Sequence, residues 1–171
     1  MRKPMLKRTI SCLAITALCA SMSFPAFADT VKKDPNPGRA ELKEYREVIS
    51  EKRSSLGELI SQSQELSSQI KGLQKSLKEA GLLTEENSQT LSQMSDEIRD
   101  ARQKLTEIRT KVNELKVSGD AYIADGDYES AKSILSQVAD TQDEQISLRQ
   151  TLSDLLEAKV NFLTSFEGNA E

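Results

Sequence analysis

The stretch LKEYREVISEKRSSLGELISQSQELSSQIKGLQKSLKEA, residues 42–80, decides the fold. Counted in sevens from its first residue, one position reads Leu42, Ile49, Leu56, Ser63, Ile70 and Leu77. The position three residues on reads Tyr45, Lys52, Leu59, Leu66, Leu73 and Ala80. Ten of these twelve residues are apolar. A seven-residue repeat sustained over six heptads lays an apolar stripe along one side of a long helix, and other helices must cover that stripe. Gly57 and Gly72 lie inside the segment and cost about 1 kcal/mol each relative to alanine when exposed, so packing holds this helix together. Gly81 supplies a left-handed stop at its end.

Two further helical patterns follow. Thr84 is a good N-cap, and Glu85 and Glu86 place negative charge at the positive end of the helix dipole. The second seam repeats Leu91, Ile98, Leu105 and Val112, with Met94, Ala101, Ile108 and Leu115 three residues on. This helix is expected to end near Gly119, and a short helical turn around Tyr122 to bridge it to the next. The third pattern runs from about Asp127 to Phe166. Its face carries Ala131, Ile134, Val138, Leu148, Leu152, Leu155, Phe162 and Phe166, and Leu135, Ile146, Leu156, Val160 and Leu163 widen it. A stripe this wide is buried on two sides or is an exposed patch that needs a partner.

Long helices joined by short turns fold back on themselves. The expected fold is therefore all-α, a long antiparallel three-helix coiled-coil bundle running up, down and up, over residues 40–168. Turns near residues 82 and 122 would set Ser63 level with Ala101 and with the neighbourhood of Glu144, where Thr141, Gln142 and Gln145 interrupt the third seam. One polar waist is expected there. Tyr45, Tyr122 and Tyr128 would gather at one end of the bundle, and Leu82, Leu83, Phe162 and Phe166 at the other.

Residues 1–28 read as a signal peptide. Arg2, Lys3, Lys7 and Arg8 precede an apolar run from Ile10 to about Met22, and Pro25 stands before Ala26-Phe27-Ala28, an A-x-A cleavage signal. The run is shorter than the roughly 20 apolar residues of a permanent span. Cleavage between Ala28 and Asp29 is the expectation, giving an exported protein of the periplasm, cell wall or exterior. Attachment of lipid at Cys19 would call for a small residue directly before it, where Leu18 stands. Residues 29–39, with Pro35, Pro37 and Gly38 and almost nothing apolar, read as a flexible linker.

Loss of the leader removes four basic residues and no acidic one, so the net charge of −4 becomes −8. Nucleic acid is an unsuitable partner for such a chain. The acidity is uneven: residues 120–171 hold eleven acidic and three basic residues, whereas residues 40–80 hold seven of each. Both cysteines, Cys12 and Cys19, lie in the leader, and the chain has no histidine and no tryptophan. Ser-His-Asp triads, Cys-His pairs and His-containing zinc sites are thereby excluded. Asp120, Asp125, Asp127 and Glu129 suggest calcium at first sight. An EF-hand loop with its glycine at Gly126 would, however, need oxygen ligands at Ala121, Ile123 and Lys132. No catalytic, cofactor or metal residue is expected.

Three local resemblances add context. Leu115, Gly119, Ala121, Tyr122, Gly126, Asp127, Tyr128 and Ala131 resemble the helix-turn-helix of a tetratricopeptide repeat. The likeness covers about 25 residues in a single copy, while such arrays need about three repeats, so it implies a similar turn and no peptide groove. Residues 59–77, rich in Gln, Ser, Leu and Ile, resemble the coiled-coil regions of exported cell-wall hydrolases and their regulators, though no hydrolase domain follows. Leu83-Thr84-Glu85-Glu86-Asn87 is similar to the Leu-Thr-x-x-Gln signature of small helical periplasmic chaperones, with Asn87 in place of the glutamine.

Two uses of the chain follow as expectations. One is a non-catalytic interaction or scaffold protein of the cell envelope, partnered by another envelope or secreted protein. The other is a holdase chaperone that binds unfolded clients through Leu135, Ile146, Leu156, Val160 and Leu163, a face that could equally join two copies as a homodimer.

Overall fold

A computed structural model describes residues 37–167. The leader, its cleavage site, both cysteines and residues 29–36 of the linker lie outside the described residues. Three helices make up the rest: α1 (Pro37–Glu79), α2 (Glu85–Asp125) and α3 (Tyr128–Glu167), with no strand among the described residues. At 1.5 Å per residue each is about 60 Å long. α1 begins three residues before the expected start at Ala40, with Pro37 at its first position, where the missing N–H costs nothing.

The helices form a bundle, and the heptads are its core. On α1, Leu42, Ile49, Leu56, Ser63, Ile70 and Leu77 are all buried, while the companion positions from Tyr45 to Leu73 are half-buried. On α2 the buried set is Leu91, Ile98, Ala101, Leu105, Val112 and Gly119. α3 lies against both neighbours. No α-carbon of α1 approaches one of α2 within 8 Å, whereas α3 comes that close to each. That position explains the wide apolar face of α3: two helices cover it rather than one.

Thr84 caps α2 as expected, its Oγ1 accepting the Asn87 N–H at 3.3 Å. Gly81 ends the turn after α1 with φ 70°. The end of α2 differs from expectation. The helix does not stop near Gly119, and no separate turn forms around Tyr122; α2 continues to Asp125 and is capped by Gly126 at φ 77°, whose N–H reaches the Ile123 carbonyl at 3.2 Å. Gly119 stays inside the helix because it occupies the next seam position after Val112. It is buried where α3 passes closely, and a β-carbon there would stand 3.2 Å from Ile134 Cγ2.

Moving that turn moves the register between α2 and α3. Gly119 lies beside Ile134, Lys111 pairs with Glu144 at 3.9 Å, and Lys159 reaches Ser95. The expected waist is therefore wrong in its third member. Ser63 meets Ser153, eight residues beyond Gln145, with the hydroxyl oxygens 3.3 Å apart and both residues buried. Ser63 gives its own proton to the Leu59 carbonyl at 2.8 Å, so Ser153 is the donor between the two. Thr141 and Gln142 form a second, separate polar layer, buried near Lys52, which donates to the Ala139 carbonyl at 3.2 Å and pairs with Asp143.

The ends are apolar, with one correction. Leu82, Leu83, Phe162 and Phe166 close one end, the two rings edge to face at 4.9 Å. Tyr45 and Tyr128 pack at the other with Leu42 and Ala131. Tyr122 stays 39% exposed, because the next residue, Ile123, takes the inward position against that cluster.

Candidate functional site

Of the five residues proposed as a binding face, Leu135, Leu156 and Leu163 are 9%, 1% and 0% exposed, inside the chain's own core. Ile146 and Val160 are half-buried. Among the described residues the large apolar side chains left exposed are Val48, Val117 and Tyr122, scattered over α1 and α2. Apolar side chains standing singly on a surface are ordinary.

Of the acidic residues around Gly126, Asp127 and Glu129 make contacts at the start of α3, Glu129 with Lys132 at 3.0 Å. Asp127 caps α3, its Oδ1 accepting the Ser130 N–H at 3.1 Å. Hydrogen bonds from the Ser130 side chain and backbone hold the Asp127 carboxyl below its usual range. Among the described residues no cluster of three or more metal-ligating side chains occurs, and no helix is long and apolar enough to cross a membrane.

The feature that sequence reasoning missed is cationic. Because α1 and α2 stand apart, a cavity of about 250 Å³ opens between them over α3. Its floor is Ile70, Ile98 and Leu156; its walls carry Lys71 from α1, Arg99 and Arg102 from α2, and Lys159 from α3. Among the described residues no carboxylate lines it. Lys159 is 5% exposed and donates to Ser95 Oγ at 2.5 Å and to the Leu91 carbonyl at 3.5 Å. Arg102 donates to Ser67 Oγ at 3.2 Å, tying α2 to α1. Among the described residues, Arg99 alone of the four pairs with a carboxylate, Asp96 one turn back at 3.0 Å.

Electrostatics follow from that crowding. Burial, and then the positive charge of Arg102, hold the Lys159 ammonium below the ordinary lysine range. Burial, with Arg109 and Arg102 alongside, does the same to the Arg149 guanidinium, whose Nε is buried with no hydrogen-bond partner. Further along, burial and the neighbouring Arg53 pull Lys116 down to about 8, against the pull of Asp120. Only the α2 part of this charge shows in the sequence, where Arg102, Arg109 and Lys116 recur every seven residues along the flank of the second seam.

No family model, curated protein or solved structure matches the chain. Its reading rests on its own residues.

Proposed function

We propose that the chain is a non-catalytic interaction or scaffold protein of the cell envelope, exported after cleavage between Ala28 and Asp29. In this reading it is built as an up-down-up, antiparallel three-helix coiled coil. The direction of the helices is supported by contacts whose numbers rise together between α1 and α3, such as Glu41 with Lys132 and Ser63 with Ser153. Between α2 and α3 they run in opposite senses, Lys111 with Glu144 and Ser95 with Lys159.

The observation that carries the functional reading is that the heptad stripes pack inside one chain, one seam row of α1 and of α2 buried and its companion row largely half-buried. With leucines of all three helices spent on the core, what faces outward is a long polar surface. Such a surface suits a defined partner that recognises charge and shape. The leader pattern sets that partner among envelope or secreted proteins. A holdase would need the wide face of α3 open, and clients would have to compete with the chain's own core for Leu156 and Leu163.

The test has two parts. Protein recovered from the producing cell should begin at Asp29 in an exported fraction, and site-specific cross-linking from exposed positions such as Val117 should give one discrete partner. Material that keeps Met1 in the cytoplasm would contradict export. Strong suppression of aggregation of an unfolded client, with no discrete cross-link, would favour the chaperone instead.

A further inference from the structure

We infer that the cavity between α1 and α2 is a binding site for a small organic oxyanion, a carboxylate or phosphate monoester carrying a short apolar body. The inference rests on the helix arrangement proposed above, which a cysteine pair between Ser63 and Ser153 checks independently.

Three observations converge. Cations from all three helices, Lys71, Arg102 and Lys159, surround one space, and among the described residues none of the three has a carboxylate within ion-pairing distance. In a chain with 27 acidic and 23 basic residues such a gathering is against composition. Like charges brought together beside an apolar floor repel one another and lose hydration, and an anion is the species that neutralises the repulsion and supplies acceptors in place of the lost water. Secondly, Lys159 is nineteen-twentieths buried, with its ammonium held by Ser95 Oγ and the Leu91 carbonyl at the edge of the cavity. That ammonium is positioned before any ligand arrives, and Ser67 fixes the Arg102 guanidinium in the same way. Pre-positioned donors are what a binding site gains most from. Thirdly, Ile70, Ile98 and Leu156 form an apolar base beneath the charges. Apolar walls with a few convergent polar groups are the pattern of small-molecule sites, including those between the helices of bundles. The volume of about 250 Å³ sets the size. It falls just under the roughly 300–1,000 Å³ of drug-sized pockets, so the ligand is compact.

The geometry divides the ligand. Its acid group sits among Lys71, Arg102 and Lys159, where the guanidinium offers a two-pronged donor face and the ammoniums act as point charges. Its apolar part lies on Ile98 and Leu156. An inorganic anion would use only the first half, and a neutral alcohol only the second.

The experiment titrates the full chain at constant ionic strength with hexanoate, hexyl phosphate, inorganic phosphate and hexanol, followed by backbone amide NMR. Hexanoate or hexyl phosphate should give saturable shifts confined to residues 67–74, 95–102 and 156–159, and whichever binds tighter identifies the acid group. Arg102→Gln should weaken that binding at least tenfold, and Lys71→Gln, at a more exposed site where folding is not at risk, should weaken it severalfold. Absence of saturation up to about 10 mM, where a millimolar site would be mostly filled, would overturn the inference. Equal shifts in both variants would overturn it too, as would a response to inorganic phosphate as strong as that to hexyl phosphate.

Discussion

Leu105 shows what a single residue contributes. It lies in the middle of α2, 4% exposed, within the cluster formed by Ala101, Leu152 and Leu156. Leu105→Ala should therefore cost about 2 to 5 kcal/mol in chemical denaturation, through lost burial and the cavity left behind. Gln62 makes one exposed hydrogen bond, to Glu157 at 3.0 Å, and Gln62→Ala should stay within about 0.5 kcal/mol of the parent. The polar layer works the other way. Gln142 is 1% exposed and its Oε1 has no hydrogen-bond partner, an arrangement that opposes folding because a buried acceptor has given up water for nothing. Gln142→Leu, nearly conserving volume, should raise stability by about 1 kcal/mol. Lys116 yields a pH dependence. Its folded pKa of about 8 lies below the unfolded value of 10.5, so the native state releases this proton first. Stability from this group is withheld below pH 8 and recovered as pH rises toward 10.5. Denaturation midpoints of the parent and Lys116→Gln should accordingly converge or cross in the parent's favour between pH 7 and pH 10; a constant gap would mean the ammonium is not perturbed.

At the scale of the element, the heptads could be read directly because every seam position does the same job. Leu42, Leu56 and Leu77, or Leu91, Ile98 and Leu105, declare themselves by spacing alone, and each is buried. The α2–α3 turn could not be read so easily, since both Gly119 and Gly126 have the chemistry of a helix stop. What separates them is position: Gly119 follows Val112 by one heptad and packs toward α3, whereas Gly126 has the left-handed backbone, φ 77°. Gly126→Ala should lose about 1 kcal/mol, because an alanine pays the left-handed penalty there; urea denaturation with an unchanged m-value would show the loss. The cationic cavity was illegible for a different reason. Lys71, Arg102 and Lys159 come from three helices, and only the register brings them together. The breadth of the α3 face was legible and left two causes open, burial on two sides or an exposed patch; the contacts of α3 with both neighbours decide for the first.

At the scale of the whole molecule, charge and packing divide the surface. Leucine-rich stripes turn inward, acidic residues concentrate after residue 119, and Lys71, Arg102 and Lys159, one from each helix, meet at the cavity between α1 and α2. The polar pair Ser63–Ser153 sits within this long core, and it is the level at which a wrong register would be felt most. A polar layer of this type favours one alignment over its neighbours at some cost in stability. The central claim, that three helices bury one another's seams in this one register, is tested most directly by oxidising two double-cysteine variants of the full chain in which Cys12 and Cys19 are replaced by serine. Ser63→Cys with Ser153→Cys should cross-link rapidly within the monomer and keep its helix content. Ser63→Cys with Gln145→Cys should remain reduced, and cross-linking of that pair in place of the first would contradict the account.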